Sequence, residues 1–576
     1  MKYLVYFLLC FSVIMLSCDS GSTDPNEGNA PPAEPFSPLP STGAIDQSIT
    51  IQFAWSCSDP DSDDINYSIA LEIDSASIGS NYIVSGYYDT VYSYSTQLDY
   101  STTYYWQVDA RDNHNNHTLG PIWNFTIRNF DSTIVAFADT NLKKVVANHI
   151  NGRNFYDTIY VTDVDTITDL RVDSYYEVHS LGGLEHFESL RDFRICDNNI
   201  TEISPLDSLF NLETLYISAN EITDISVLSD LTNLTYLDIG NNQISDISYL
   251  SNLVNLTYLD FDNNSVASID AVEEMLQLIT LSGSNNQITN IYAVDDLALL
   301  TNLFLHENQI SDMSPVQNLS NLSMLSLNDN QITAVPSLAN LTNLANISIH
   351  NNSITDISGL STLTYLTYLN LESNQIPSIS ALGDFTNLET LDLSYNQVTD
   401  LTPLENLTSL ETLYLSYNQV TDLTPLENLT SLTQLFADNN LLTNLNGMEN
   451  LDSLEMADLF DNQLTDISGV ANLTGLVYLA LQRNNIVDIS PLADLTGLGF
   501  LSLAQNDIID ISTLQSLTGL MTLYLQTNEI TNILSLVNNT GLGTDDVVDL
   551  IQNPLDSISI NTYIPQLEAR GVDVLF

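Results

Sequence analysis

The chain has 576 residues, 44% of them apolar, and sets 73 Asp plus Glu against 11 Lys plus Arg for a formal net charge of −62. A surface of that sign repels phosphate backbones and anionic headgroups, which excludes nucleic acid and acidic membrane as partners. Four cysteines cannot build a disulfide framework for a chain this long, so stability has to come from an apolar core.

The first element is an apolar run from Tyr3 to Leu16 behind Lys2. It is too short to span a bilayer and reads as a signal peptide over residues 1–17. Its end, Met15-Leu16-Ser17-Cys18, resembles a bacterial lipobox, which implies acylation of Cys18. Several acyl chains on one cysteine hold firmly where one is marginal. Residues 18–37, rich in Ser, Gly, Asn and Pro, read as a disordered tether. The resemblance places the protein in a bacterial cell envelope, lipid-anchored at the outer membrane or cell surface, with the anchor as its only membrane contact.

Residues 38–130 hold few leucines and many Tyr, Ser and Thr in alternating runs. Trp55 falls in an early strand. Tyr104, Trp106, Val108 and Ala110 share one face of a late strand, and Trp123-Asn-Phe125-Thr-Ile127 closes the region. The pattern resembles a fibronectin-type-III-like module, which implies an all-β sandwich acting as a spacer. Within it Asp59, Asp61 and Asp63 offer carboxylates at the alternate positions that calcium loops use. The glycine turn and distal glutamate of an EF-hand are missing. Calcium there is the one possible cofactor; the other reading is a polar turn.

From residue 186 to 540 the chain repeats with a period of 22. Asparagines mark it without a slip: Asn198, Asn220, Asn242, Asn264, Asn286, Asn308, Asn330, Asn352, Asn374, Asn396, Asn418, Asn440, Asn462, Asn484, Asn506 and Asn528. Each unit carries about seven apolar positions, such as Leu231, Leu234, Leu237, Ile239, Ile244, Ile247 and Leu250. One unit cannot bury that set alone, so neighbours must stack. The alternation around Leu237 predicts a short strand, and the strands a parallel sheet lining a concave face. The segment Ile244–Leu250 is too short for a good helix and predicts extended or 3₁₀ structure on the convex side. Where the chain turns inside the stack, an asparagine amide can satisfy backbone groups of its own turn and the next. The fold class is therefore an α/β-type leucine-rich-repeat solenoid behind an all-β sandwich.

The string Leu410-Glu-Thr-Leu413-Tyr-Leu415-Ser-Tyr-Asn418-Gln-Val420-Thr-Asp422-Leu423-Thr-Pro425-Leu426 resembles the 22-residue unit of internalin-like bacterial surface proteins. Residues 393–410 recur identically at 415–432, the mark of a recent duplication. Residues 131–185 resemble that family's entry cap, and residues 541–576, with Asn553-Pro-Leu and Tyr563 to Val572, its exit cap. The resemblance implies protein recognition or adhesion. Internalin-like proteins carry their immunoglobulin-like module after the repeats rather than before, so an invasion role does not carry over.

Motifs of hydrolases, zinc proteases, phosphate loops and paired-cysteine redox sites are absent, and no enzymatic activity is expected. Outward strand positions supply a row of aromatics: Tyr216, Tyr236, Tyr258, Phe304, Tyr368, Tyr414, Phe436, Phe460, Tyr478, Phe500 and Tyr524. Tyr395 and Tyr417 stand just before ladder asparagines. Aromatic anchors in a polar surround make interface hot spots; on a strand they also serve cross-strand packing. Tyr368, Tyr395, Tyr414, Tyr417 and Phe436 are the candidate ligand-binding group. The expected function is a non-catalytic envelope lipoprotein that binds a protein on another cell or matrix through the concave face. The alternatives are a glycan-binding surface protein and a calcium-dependent structural envelope protein.

Overall fold

The computed structural model describes residues 29–79, 81–150 and 154–576. The apolar leader and Cys18 lie outside them. The chain forms two compact units that meet between Ser132 and Thr133.

The N-terminal unit is a β-sandwich. One sheet pairs Ile51–Ser56 with Phe36–Leu39 and Val91–Tyr94. The other runs Ala44–Gln47, Trp123–Ile127, Thr103–Arg111, Asn66–Glu72, Tyr82–Tyr87, with His117–Leu119 on Thr103–Arg111. Alternation puts Tyr104, Trp106, Val108 and Ala110 inward, all buried, against Phe53, Trp55 and Phe125. The Phe53 and Trp106 ring centroids lie 4.8 Å apart. Residues 29–37 depart from a disordered tether. Ala33 N–H donates to Ser58 O, Ala30 N–H to Asp61 Oδ2, and the Asn29 amide to Asp112 Oδ2. These bonds tie the segment to the sandwich, because its backbone completes turns that the loops leave open.

The second unit is a solenoid whose sheet has nineteen parallel strands in sequence order, from Asp169–Arg171 to Asp573–Leu575. Three strands beyond the sixteen repeats belong to the ends of the stack. The central residue of each strand, Leu215, Leu237 or Leu259 for example, is fully buried, and the registers run without a slip. After most strands the chain makes a 3₁₀ turn such as Ser248–Leu250. Fixed-position acids start these turns: Asp224, Asp246, Asp400 and Asp488 accept the N–H of the Ser or Thr two residues on.

Each ladder asparagine works in two directions. Asn242 Oδ1 accepts the Ile222 N–H at 3.0 Å, while its amide donates to Ile239 O and Gly240 O in its own turn and to Ile217 O of the preceding repeat. All sixteen accept the N–H twenty residues back. Asn553 adds a seventeenth member, bonded to Ile530 N–H, after a unit three residues longer than the period. A second ladder has no counterpart in the sequence analysis. Asn211, Asn233, Asn255, Asn321, Asn343 and Asn387 donate to the carbonyl twenty-three residues back at the approach to the strand.

The core tolerates one volume exchange. Gly283 stands where neighbouring repeats place Phe261 and Leu305, and a Cβ there would meet the Phe261 ring at 2.3 Å. The large ring fills the missing side chain's space. At the far end the Arg570 guanidinium donates to the carbonyls of Val537, Asn539 and Leu542, closing a turn that has no following repeat. Cys57 and Cys196 are free and half-buried, and burial raises both thiols.

Replacing Asn308 by Ala removes an acceptor for Ile288 N–H and a donor to three carbonyls. An unsatisfied buried group costs about 1–3 kcal/mol, so Asn308→Ala should lower unfolding free energy by at least that much in chemical denaturation. Gln309→Ala, exposed beside the ladder, should cost far less.

Candidate binding surface

Every strand sends two side chains to the open face of the sheet, one on each side of the buried central residue. The aromatics therefore split into columns. Tyr236, Tyr258, Tyr368, Tyr478 and Phe500 precede the central residue; Tyr216, Phe304, Tyr414, Phe436 and Tyr524 follow it. Phe460 lies just past its strand, Met456–Asp458. In-register pairing makes neighbours stack: Tyr236 on Tyr258 at 4.1 Å and 3°, Tyr414 on Phe436 at 4.7 Å and 8°, Tyr478 on Phe500 at 4.4 Å and 5°. Tyr216 extends the first stack at 4.6 Å, and the Arg194 guanidinium caps it 4.3 Å above the Tyr216 ring.

Of the candidate group, the structure pairs Tyr414 with Phe436 and, separately, Tyr395 with Tyr417 at 4.3 Å and 10°. Tyr368 has neither of these as a ring partner; it walls a hollow with Phe304 and Met324. Tyr395 and Tyr417 occupy the turn position before the ladder asparagine, where every repeat requires positive φ; theirs are 55° and 56°. Elsewhere that column holds Asn or Asp in eight repeats, such as Asn241 and Asp329, and Ala219, Glu307, Ser373, Arg483, Gln505 and Thr527 in the other six. Asn and Asp accept the left-handed region, whereas a bulky side chain costs roughly 1–2 kcal/mol there. Two adjacent tyrosines nonetheless hold it, 48% and 43% exposed.

Carboxylates sit among the rings. Asp238, Asp260 and Asp262 adjoin the first stack: Tyr258 Oη donates to Asp260 Oδ2, and Ser218 and Ser282 donate to Asp238 and Asp262. Burial, with Asp262 nearby, pushes Asp260 up to about 6; burial also pushes Asp458, beside the later stacks, up to about 6. Burial raises Tyr258 to about 12. His306 and His350 bond to Ser284 and Ser348 respectively, each within its own neighbourhood.

In the sandwich the expected calcium trio separates. Asp59 Oδ1 accepts the N–H groups of Asp61 and Asp63, Asp61 Oδ2 accepts Ala30 N–H, and Asp63 Oδ2 meets His114 Nδ1 at 3.0 Å. Among the described residues, the ligand-type atoms that gather within 4.8 Å are those of Asp63, Asp112 and His114. Asp112 already accepts hydrogen bonds from Asn29, His114 and Asn116, so this loop cluster has the chemistry of a closed turn.

Leucine-rich-repeat family models match residues 188–244, 232–274, 320–362, 364–406, 408–451 and 452–494. The chain carries leucine-rich repeats. Among solved structures, the functional domain of InlJ from Listeria monocytogenes is 24% identical, covers 72% of this chain and 79% of that one, and superposes with a TM-score of 0.51. A leucine-rich-repeat protein of Leptospira interrogans is 21% identical over 75% and 98%, with a TM-score of 0.53. The HAESA receptor kinase ectodomain of Arabidopsis, solved with a peptide hormone ligand, is 17% identical over 71% and 85%, with a TM-score of 0.50. These likenesses are of fold. Comparison with curated proteins returns no match. Among the described residues no helix is long and apolar enough to cross a membrane.

The raised carboxyls set a pH dependence. Folded Asp260 and Asp458 hold protons up to about 6, above the ordinary 3.8 of the unfolded chain. The folded state thus binds more protons in that window, and stability rises as pH falls from about 7 towards 4. The capping acids Asp224, Asp246, Asp400 and Asp488 are shifted the opposite way by bonds from the following Ser or Thr, so their contribution is lost below that window. Thermal melts should show a higher Tm at pH 5 than at pH 7, and a smaller rise in the Asp260→Asn/Asp458→Asn double variant. An equal rise in the variant would contradict the assignment.

Proposed function

We propose that this chain is a non-catalytic cell-surface recognition protein whose solenoid binds a protein ligand on the open face of its sheet. The observation that carries the reading is the adjacent pair Tyr395 and Tyr417, stacked and exposed in the turns that border that face. The neighbouring Tyr414–Phe436 stack supplies a second rigid anchor of the kind that concentrates binding energy. The HAESA ectodomain, with the same fold, holds a peptide hormone, which supports a polypeptide ligand by analogy of fold. On this reading Cys18 is acylated, the sandwich is a fibronectin-type-III-like spacer, and the protein stands on a bacterial envelope surface facing another cell or matrix.

A glycan is the second reading, because flat ring faces along an open sheet also stack on sugars. The purified chain, presented to extracellular proteins and polysaccharides, should bind a protein. The Tyr395→Ser/Tyr414→Ser/Tyr417→Ser variant should lose at least tenfold in affinity with an unchanged circular dichroism spectrum. Equal binding by both proteins would refute the site, and competition by soluble polysaccharide would favour the glycan.

A further inference from the structure

The strands Asn302–Phe304, Met324–Ser326, Asn346–Ser348 and Tyr368–Asn370 are consecutive in the sheet. Between the rings of Phe304 and Tyr368 the outward positions hold Met324, Ser326, Asn346 and Ser348. The shortfall in side-chain volume leaves a hollow of about 300 Å³ whose floor is Leu325 and Ile347. Three strand spacings separate the two ring-bearing strands by about 14 Å. The volume stands at the bottom of the range of roughly 300–1,000 Å³ for small-molecule pockets, and suits one aromatic or two aliphatic side chains. Met324, 43% exposed, gives the wall an adaptable thioether.

The rim is acidic. Asp329 lies 3.6 Å from His350, and His350 is bonded to Ser348 of the hollow. Glu372 follows Tyr368 on the same strand exit, and Asp392 stands across from Asn370 in the sheet register. Burial, then Asp392, raises the Glu372 carboxyl, and burial raises Asp392, so these acids crowd one another. No Lys or Arg occurs between Arg194 and Arg483, and the chain has only His350 here to balance them. Arg194 over Tyr216 shows the geometry a guanidinium takes on this face.

We infer that the hollow is the anchor pocket for a basic segment of a partner protein. An extended stretch of the partner inserts an apolar side chain between Phe304 and Tyr368 and sets flanking Lys or Arg side chains against Asp329, Glu372 and Asp392. The inference rests on the sheet face being a protein-binding surface and adds the chemistry of the ligand.

The test uses the full chain and three fluorescein-labelled twelve-residue peptides, read by fluorescence anisotropy. One has a central Phe flanked by Lys and Arg, one a central Ser in the same flanks, and one a central Phe flanked by Glu. The first should bind, weaken severalfold from 50 to 300 mM salt, and lose at least tenfold when Phe becomes Ser. Ser348→Trp, which fills the hollow, should lose at least tenfold, and Glu372→Gln/Asp392→Asn severalfold; Asn346→Trp replaces Ser348→Trp if that variant misfolds by circular dichroism. Failure of the basic Phe peptide to bind, equal binding of either control peptide, or indifference to the filled hollow would overturn the pocket. A protein ligand that needs Tyr395 and Tyr417 but ignores Ser348→Trp would sink the pocket and leave the proposed function standing.

Discussion

One buried side-chain amide per repeat is the interaction on which the solenoid depends. The chain must turn sharply after each strand, deep in a stack where water cannot reach its peptide groups. The ladder asparagine supplies an acceptor to the preceding repeat and donors to both repeats. The same group therefore closes a turn and sets the spacing between turns. It also imposes positive φ on the residue before it, which is how an internal requirement reaches the surface.

Because the ladder and the buried leucines hold the fold, the outward positions are free to vary. The duplication shows this most plainly. Residues 388–410 and 410–432 differ at one place, where Asp392 in the first copy becomes Tyr414 in the second. That position faces outward, and the change creates the ring that stacks on Phe436. Strict register turns such local substitutions into rigid platforms, since a ring on one strand meets its neighbour at about the strand spacing. At the first stack acid and aromatic are joined directly, since Tyr258 Oη donates to Asp260.

The period made the fold legible. Asn198 to Asn528 fixed the repeat boundaries, the strands and the 3₁₀ side, because one residue type performs one geometric task each time. Asn553 escaped that reading because its unit is three residues longer, and the Asn211–Asn387 ladder because its members skip several repeats. The candidate site was legible only in part. Sequence places Tyr414 and Phe436 at outward strand positions and Tyr395 and Tyr417 before ladder asparagines, but strand register decides that they form two pairs rather than one cluster. The hollow beside Tyr368 was invisible, since it arises from small residues, Ser326 and Ser348, two and one strands away. The acids of 59–63 read as one group in the sequence, but Asp61 and Asp63 bond to Ala30 and His114, which come from distant segments.

Hydrogen exchange of the backbone amides that donate to ladder asparagines tests the central claim most directly. The amides of Ile222, Val266, Ile310, Ile354, Val398, Leu442 and Ile486 should be among the slowest to exchange, with similar protection along the whole stack. Fast exchange at several consecutive members, with the strands between them still protected, would show that something other than the asparagine ladder holds the repeats together.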